Sequence, residues 1–166
     1  MSGAVEWLPP LVLLQDSNGD WLRYVEAIYD IFKSDFIRST PLFRSKNVGI
    51  RFDPVEKGKA ATFWHIISEG AVEEERIPDL RRCERIRWPR KIIDNSDKPE
   101  IKIWEAKKKG ERVYLLLQSG NENYLVVLRK GKTYFLLLTA FMVERKHQVE
   151  KLVREYWEYK KMGSPI

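Results

Sequence analysis

Hydrophobic positions change period along the chain, and each period predicts a different element. After the turn-forming stretch DSNGD at 16–20, Trp21, Tyr24, Val25, Ile28, Phe32 and Phe36 recur at three-four spacing. That is the apolar stripe of an amphipathic helix, with Asp20 placed to cap it. Residues 41–54 alternate instead. Val48, Ile50 and Phe52 read as extended chain that ends at Asp53-Pro54. A short helix follows at 60–68, with Phe63, Ile66 and Ile67 toward the core and His65 and Glu69 sharing another side. Beyond an acidic connection at 71–77, PDLRRCERIRW (78–88) reads as one helix opened by Pro78 and closed by Pro89. RKII (90–93) reads as extended and DNSDKPE (94–100) as a loop.

From residue 101 the pattern becomes that of strands. IKIWEAK, RVYLLLQ, YLVVLRK and TYFLLLTAF are separated by the short polar links KKGE, SGNEN and GK. Such links join antiparallel neighbours. The last three segments are almost continuously apolar, so both faces of the sheet must be covered. Val149, Leu152, Val153, Tyr156 and Trp157 then mark a closing helix. The predicted architecture is α+β: N-terminal helices, a four-stranded antiparallel β-meander and a C-terminal packing helix. With no repeat or low-complexity tract, the chain reads as a single domain over 1–166. It divides into an N-terminal apolar segment and helix (1–40), a core (41–141) and a C-terminal helix (142–166).

Composition narrows the function. A 166-residue chain with 43% hydrophobic and 33% charged residues has the makings of a packed core. A net charge of +6 favours a polyanionic partner without specifying one. The single cysteine, Cys83, cannot form an intramolecular disulfide, which suits a reducing compartment. WLPPLVLL (7–14) is short, holds two prolines and has no basic leader, so it reads neither as a signal peptide nor as a membrane span. A cytoplasmic protein with no membrane partner is expected.

The recognisable nucleotide, zinc and hydrolase motifs are absent, and no cofactor or metal is expected. What stands out is RIPDLRRCERIRWPRK (76–91), with seven basic residues and Trp88 among them. Arg81, Arg82, Arg85, Arg87, Arg90 and Lys91 could bind phosphate oxygens, and an aromatic ring could stack a base. A solvated, ion-paired helix is the competing reading. His65, one of two histidines, is either a hydrogen-bonded core imidazole or an acid/base group. His147, at the start of the last helix, reads as exposed. Thr139 is either an ordinary strand residue or a hydroxyl donor to phosphate.

A helix bearing FWHI (Phe63–Ile66), followed by a four-stranded sheet whose last strand ends in Thr139-Ala140-Phe141, resembles the barnase–EndoU–colicin–RelE superfamily of metal-independent ribonucleases. The likeness is to its phage- and toxin-associated branches and covers roughly residues 48–141. It implies RNA cleavage by 2′-OH attack, with an antitoxin or a phage or host protein as partner. His65 would be base or acid. Arg85 and Arg87 would neutralise the transition state, Thr139 would hold a phosphate oxygen, and Lys102 would be a further cation. Trp88 or Trp104 would stack a base. Two positions depart from the pattern. No second histidine follows His65, where Glu69 is the nearest polar residue, and Phe141 stands where the family often has tyrosine. A non-catalytic nucleic-acid-binding module and a tryptophan-mediated adaptor remain as alternatives.

Overall fold

The computed structural model describes residues 5–70, 76–106 and 111–163. Most of the acidic connection and of the KKGE link lies outside them. The first helix, α1 (Trp21–Phe36), forms where the apolar stripe predicts it, and the Asp20 carboxylate accepts from the Arg23 backbone N–H at 3.2 Å. Tyr24, Val25, Ile28, Phe32 and Phe36 are buried, whereas Trp21 stays 38% exposed at the first turn.

Two short strands follow, β1 (Leu42–Phe43) and β2 (Lys46–Gly49), then α2 (Ala61–Ile67) and a two-stranded ribbon of β3 (Ser68–Glu69) and β4 (Ile77–Pro78). The chain continues through α3 (Leu80–Glu84), α4 (Trp88–Asp94), β5 (Ile101–Ala106), β6 (Arg112–Ser119), β7 (Glu122–Lys130) and β8 (Tyr134–Met142). It closes with α5 (Lys146–Lys161). The class is α+β, but the main sheet has six strands rather than four, in the order β1-β2-β8-β7-β6-β5. β5 to β8 pair antiparallel with their chain neighbours, while β2 adds to β8 in parallel, Val48 opposite Phe135. That pairing joins segments nearly ninety residues apart, so no local turn announces it.

The expected single helix at 78–88 is two helices, and the expected extended piece at 90–93 is helical. Pro78 lies in β4, and Asp79 caps α3 by accepting from the Arg81 N–H. Arg85 leaves helical geometry (φ −101°, ψ 28°), and Pro89 lies in the first turn of α4. A proline inside a continuous helix would lose its bond to the carbonyl four residues back and clash with it. In a first turn the missing N–H costs nothing. The chain therefore breaks at Arg85 and restarts, and Ile92 and Ile93 are both buried on α4.

The core has two parts. α1, α2, α3 and α4 contribute Phe32, Phe63, Ile67, Cys83 and Ile92 to one cluster with Val48, Leu115, Val126, Phe135 and Leu137. Trp104, Leu116, Leu125 and Val127 form a second cluster, with Val149, Leu152, Val153, Tyr156 and Tyr159 of α5 against it. Each face of the sheet thus carries helices, which accounts for the continuous apolar runs. On α5 the stripe ends on Tyr159 (9% exposed) and not on Trp157, which is 55% exposed.

Candidate functional site

α2 is anchored by its apolar side. Phe63 packs its ring edge on Tyr29 at 4.8 Å and lies 5.6 Å from Phe32, while Ile66 and Ile67 are buried. The Thr62 hydroxyl ties the helix start to Arg51, accepting from its N–H at 2.8 Å and donating to its carbonyl at 3.2 Å. With positions 63, 66 and 67 committed inward, position 65 falls on the rim, and His65 is half-buried.

There His65 lines a small cleft of about 200 Å³ together with Ser68, Glu69, Gly70, Arg76, Arg82, Thr139 and Phe141. Four separate pieces of chain deliver these groups. β3 carries Ser68 and Glu69. Arg76 immediately precedes β4. Arg82 comes from α3, whose inner side is pinned by the buried Cys83, a thiol that burial pushes up to about 12. β8 supplies Thr139 and Phe141. Register shifts between β7 and β8 at this point, with Val127 opposite Thr139 but Leu128 opposite Leu137. Leu138 is thus an extra residue just before Thr139, and such a bulge resets which face the following side chains take.

The polar contacts inside the cleft are specific. The Arg76 guanidinium donates through Nη1 to His65 Nδ1 and through Nε to the Gly70 carbonyl at 3.0 Å. A guanidinium has only donors, so the tautomer that fits this contact is the one with Nδ1 accepting and the ring proton on Nε2. Arg82 donates from Nη1 to the Ser68 carbonyl at 2.6 Å and lies over the Phe141 ring, 5.1 Å from its centroid. Burial lowers the pKa of Arg82, against the opposing influence of Glu69 and Asp79. It remains a cation at neutral pH.

The other basic residues of 76–91 go elsewhere. Arg85 is 7% exposed. It donates to the Glu122 carboxylate from Nη2 (3.0 Å) and Nε (3.2 Å) and to the Arg81 carbonyl, and it packs on Trp88. With Arg81, which pairs with Glu144 at 2.7 Å, it lines a separate concavity of about 690 Å³ between β7, β8 and α5. Arg87 occupies the position before α4, with no side-chain capping bond, and is half-buried. Arg90 is fixed by Asp94, the Asp35 carbonyl and Ser39, and Lys91 is exposed on the same helix. The Arg85–Arg87 pair expected at the reaction centre therefore does not line the cleft with His65 and Thr139: Arg85 is held on Glu122 and the Arg81 carbonyl, and Arg87 follows the break in the helix.

Trp88 (5% exposed) and Trp104 (1%) are core side chains with no ring face free for a base. Lys102 donates to Gln118 at 2.8 Å beside Tyr156, on the α5 side of the sheet. His147 is exposed. Arg76 is the cleft residue that sequence reasoning left without a role. It was counted in the basic run, but nothing local signals that it turns back onto His65.

Among the described residues no three His, Cys, Asp or Glu side chains converge as a metal-ligand group, and no helix is long and apolar enough to cross a membrane. Comparison with known protein families, curated proteins and solved structures gives no match.

Proposed function

We propose that this chain is a metal-independent endoribonuclease whose reaction centre is the His65 cleft, with the 2′-OH of RNA attacking the adjacent phosphorus. The observation that carries the reading is the meeting of the His65 imidazole, the Arg76 and Arg82 guanidinium groups and the Thr139 hydroxyl, from four segments, in a single small concavity. In this reaction the 2′-O–P bond forms and the P–O5′ bond breaks. The products are a 2′,3′-cyclic phosphate and a 5′-hydroxyl. The 2′-OH proton needs an acceptor, the pentacovalent phosphorus needs cations, and the leaving oxygen needs a proton.

His65 is the proton acceptor, and its occupied Nδ1 sets the sequence of events. An entering phosphate competes for the Arg76 guanidinium, the better partner being the anion. Transfer of Arg76 to phosphate frees Nδ1 to accept the 2′-OH proton. Arg82 and Arg76 then face the charge that develops on the non-bridging oxygens, with the Thr139 hydroxyl donating to one of them. The leaving 5′-oxygen takes its proton from solvent water at the open rim of the cleft, beside the exposed Glu69.

A non-catalytic nucleic-acid-binding role has its own support. Phe141 offers no hydroxyl, and Arg82 is already held by Ser68. One experiment separates the two. His65→Ala should lower cleavage of a mixed-sequence RNA by about 10²–10⁴-fold while leaving RNA affinity nearly intact. Wild-type turnover by the folded variant removes His65 from the chemistry. Binding without cleavage by the wild-type protein favours the non-catalytic role.

A further inference from the structure

The far end of the sheet from the cleft carries a second concentration of charge. Ladder register brings the turn between β1 and β2, the start of β6 and the turn between β7 and β8 to one edge. Arg112 is opposite Arg129, Lys130 opposite Phe135, Tyr134 opposite Asn47, and Lys46 opposite Phe43. Six cations lie at this end among the described residues, Arg44, Lys46, Arg112, Arg129, Lys130 and Lys132; Arg112 and Arg129 share one face, while Lys46 and Lys130 lie with Phe135 on the other. Glu105 is shared by Arg44 at 3.1 Å and Lys130 at 3.8 Å. Arg112, Arg129 and Lys132 form no ion pair with a described carboxylate.

Two features of the backbone hold this charge in place against local preference. Arg44 (φ 52°) and Ser45 (φ 68°) both occupy the left-handed region in a two-residue hairpin turn, where Asn-Gly is the favoured pair. Arg112 and Arg129 are direct cross-strand neighbours, an arrangement that like charges disfavour. The turn between β7 and β8 is also tight. A side chain at Gly131 would meet the Tyr134 carbonyl oxygen at 2.6 Å, and the Gly131 N–H donates to that same oxygen. Tyr134, two residues after Lys132, presents a half-exposed ring.

We infer that this basic end of the sheet is a docking surface for the single-stranded RNA backbone flanking the scissile phosphate, with Tyr134 stacking a base. The inference rests on RNA being the substrate of the His65 cleft. From Tyr134 to Thr139, β8 runs about 17 Å, so the basic end and the cleft lie within the reach of one short single strand. The cations hold phosphates without sequence preference, and the flat ring adds a base contact that is also sequence-tolerant. A membrane surface would use the same cations and the same ring; RNA is the occupant proposed because β8 links this end of the sheet to the cleft.

The test is fluorescence anisotropy with a labelled 12-nucleotide 2′-O-methyl RNA, which lacks the attacking hydroxyl, measured over a range of salt. The Arg129→Ser/Lys130→Ser/Lys132→Ser protein changes only exposed side chains, and circular dichroism checks its fold. Its affinity should fall by about tenfold or more at low salt, and its log–log salt slope should shrink by about 2, three contacts at ~0.7 each. Tyr134→Ser should weaken binding with the slope unchanged. An unaltered affinity and slope in the triple variant overturns the inference. So does a loss confined to vesicles of phosphatidylserine and phosphatidylcholine. Cleavage of a dinucleotide, too short to reach the sheet end, should be the same in wild type and triple variant. Failure of the wild type to cleave that dinucleotide would sink the ribonuclease reading alone, because binding of the 2′-O-methyl RNA is read without turnover.

Discussion

Arg85 and Arg82 are three residues apart, carry the same charge and come from the same basic run, yet the fold gives them different partners: Glu122 for Arg85 and the Ser68 carbonyl at the cleft for Arg82. Arg85→Ala should therefore damage stability and spare cleavage. Its side chain is 8% exposed and holds Glu122 by two hydrogen bonds, with a third to the Arg81 carbonyl. Breaking a fully buried ion pair typically costs about 3–5 kcal/mol, most of it from the charge left behind. Glu122 is 42% exposed, so water can solvate the abandoned carboxylate and the upper part of that range does not apply. Loss of the guanidinium that lies over Trp88, and of the buried stem that carries it, adds a packing term. An overall loss of about 2–3 kcal/mol follows, which for a chain of this length lowers Tm by about 5–10 °C.

The assay pairs thermal unfolding with RNA cleavage measured well below both transitions. Arg85→Met, which restores the stem but not the charge, should recover part of the Tm. Arg82→Ala supplies the mirror image. Its side chain is at the cleft, and it should lose cleavage by orders of magnitude with a smaller change in Tm. An Arg85→Ala protein with wild-type Tm and cleavage reduced a hundredfold would refute this division of labour, and with it the placement of the reaction centre.

Burial pushes the Asp35 carboxyl up to about 6, although Arg90 and Arg87 lie nearby. A raised carboxyl pKa means the folded state holds a proton that the unfolded state has released, so stability falls as pH rises from about 4 to about 6. Asp35→Asn should remove that loss. The variant should gain about 1 kcal/mol over wild type at pH 7, after allowance for partial solvent screening, and the gain should vanish near pH 4. Thermal melts at the two pH values read the difference, and a gain that is larger at pH 4 would contradict the assignment. On α5, Leu152→Ala should cost about 1–2 kcal/mol because its side chain is half-buried against the second cluster. Trp157→Ala should change stability by no more than about 0.5 kcal/mol, since that ring stands out in solvent. Equal effects of the two substitutions in denaturant titrations would mean that α5 is docked on the wrong face.

The periodic segments were legible in the sequence because their signal is local. The stripe of α1, the segments that become β5 to β8 and the stripe of α5 each repeat one burial pattern over many residues, and the continuous apolar runs already required cover on both sheet faces. The arginine-rich segment was not legible in the same way. Pro78 and Pro89 each suit more than one structure. Only the pairing of β4 with β3, and the break at Arg85, decide that one is a strand residue and the other opens a helix. Arg82, inside α3, reaches the Ser68 carbonyl at the Thr139 cleft, and Arg85, at the helix end, reaches Glu122 on a different strand. The parallel addition of β2 to β8, the return of Arg76 onto His65 and the gathering of cations at one sheet edge are likewise contacts between distant segments. A residue's type and its neighbours in sequence set its local conformation. Which distant groups it meets depends on how the elements pack, and no periodicity in the chain encodes that.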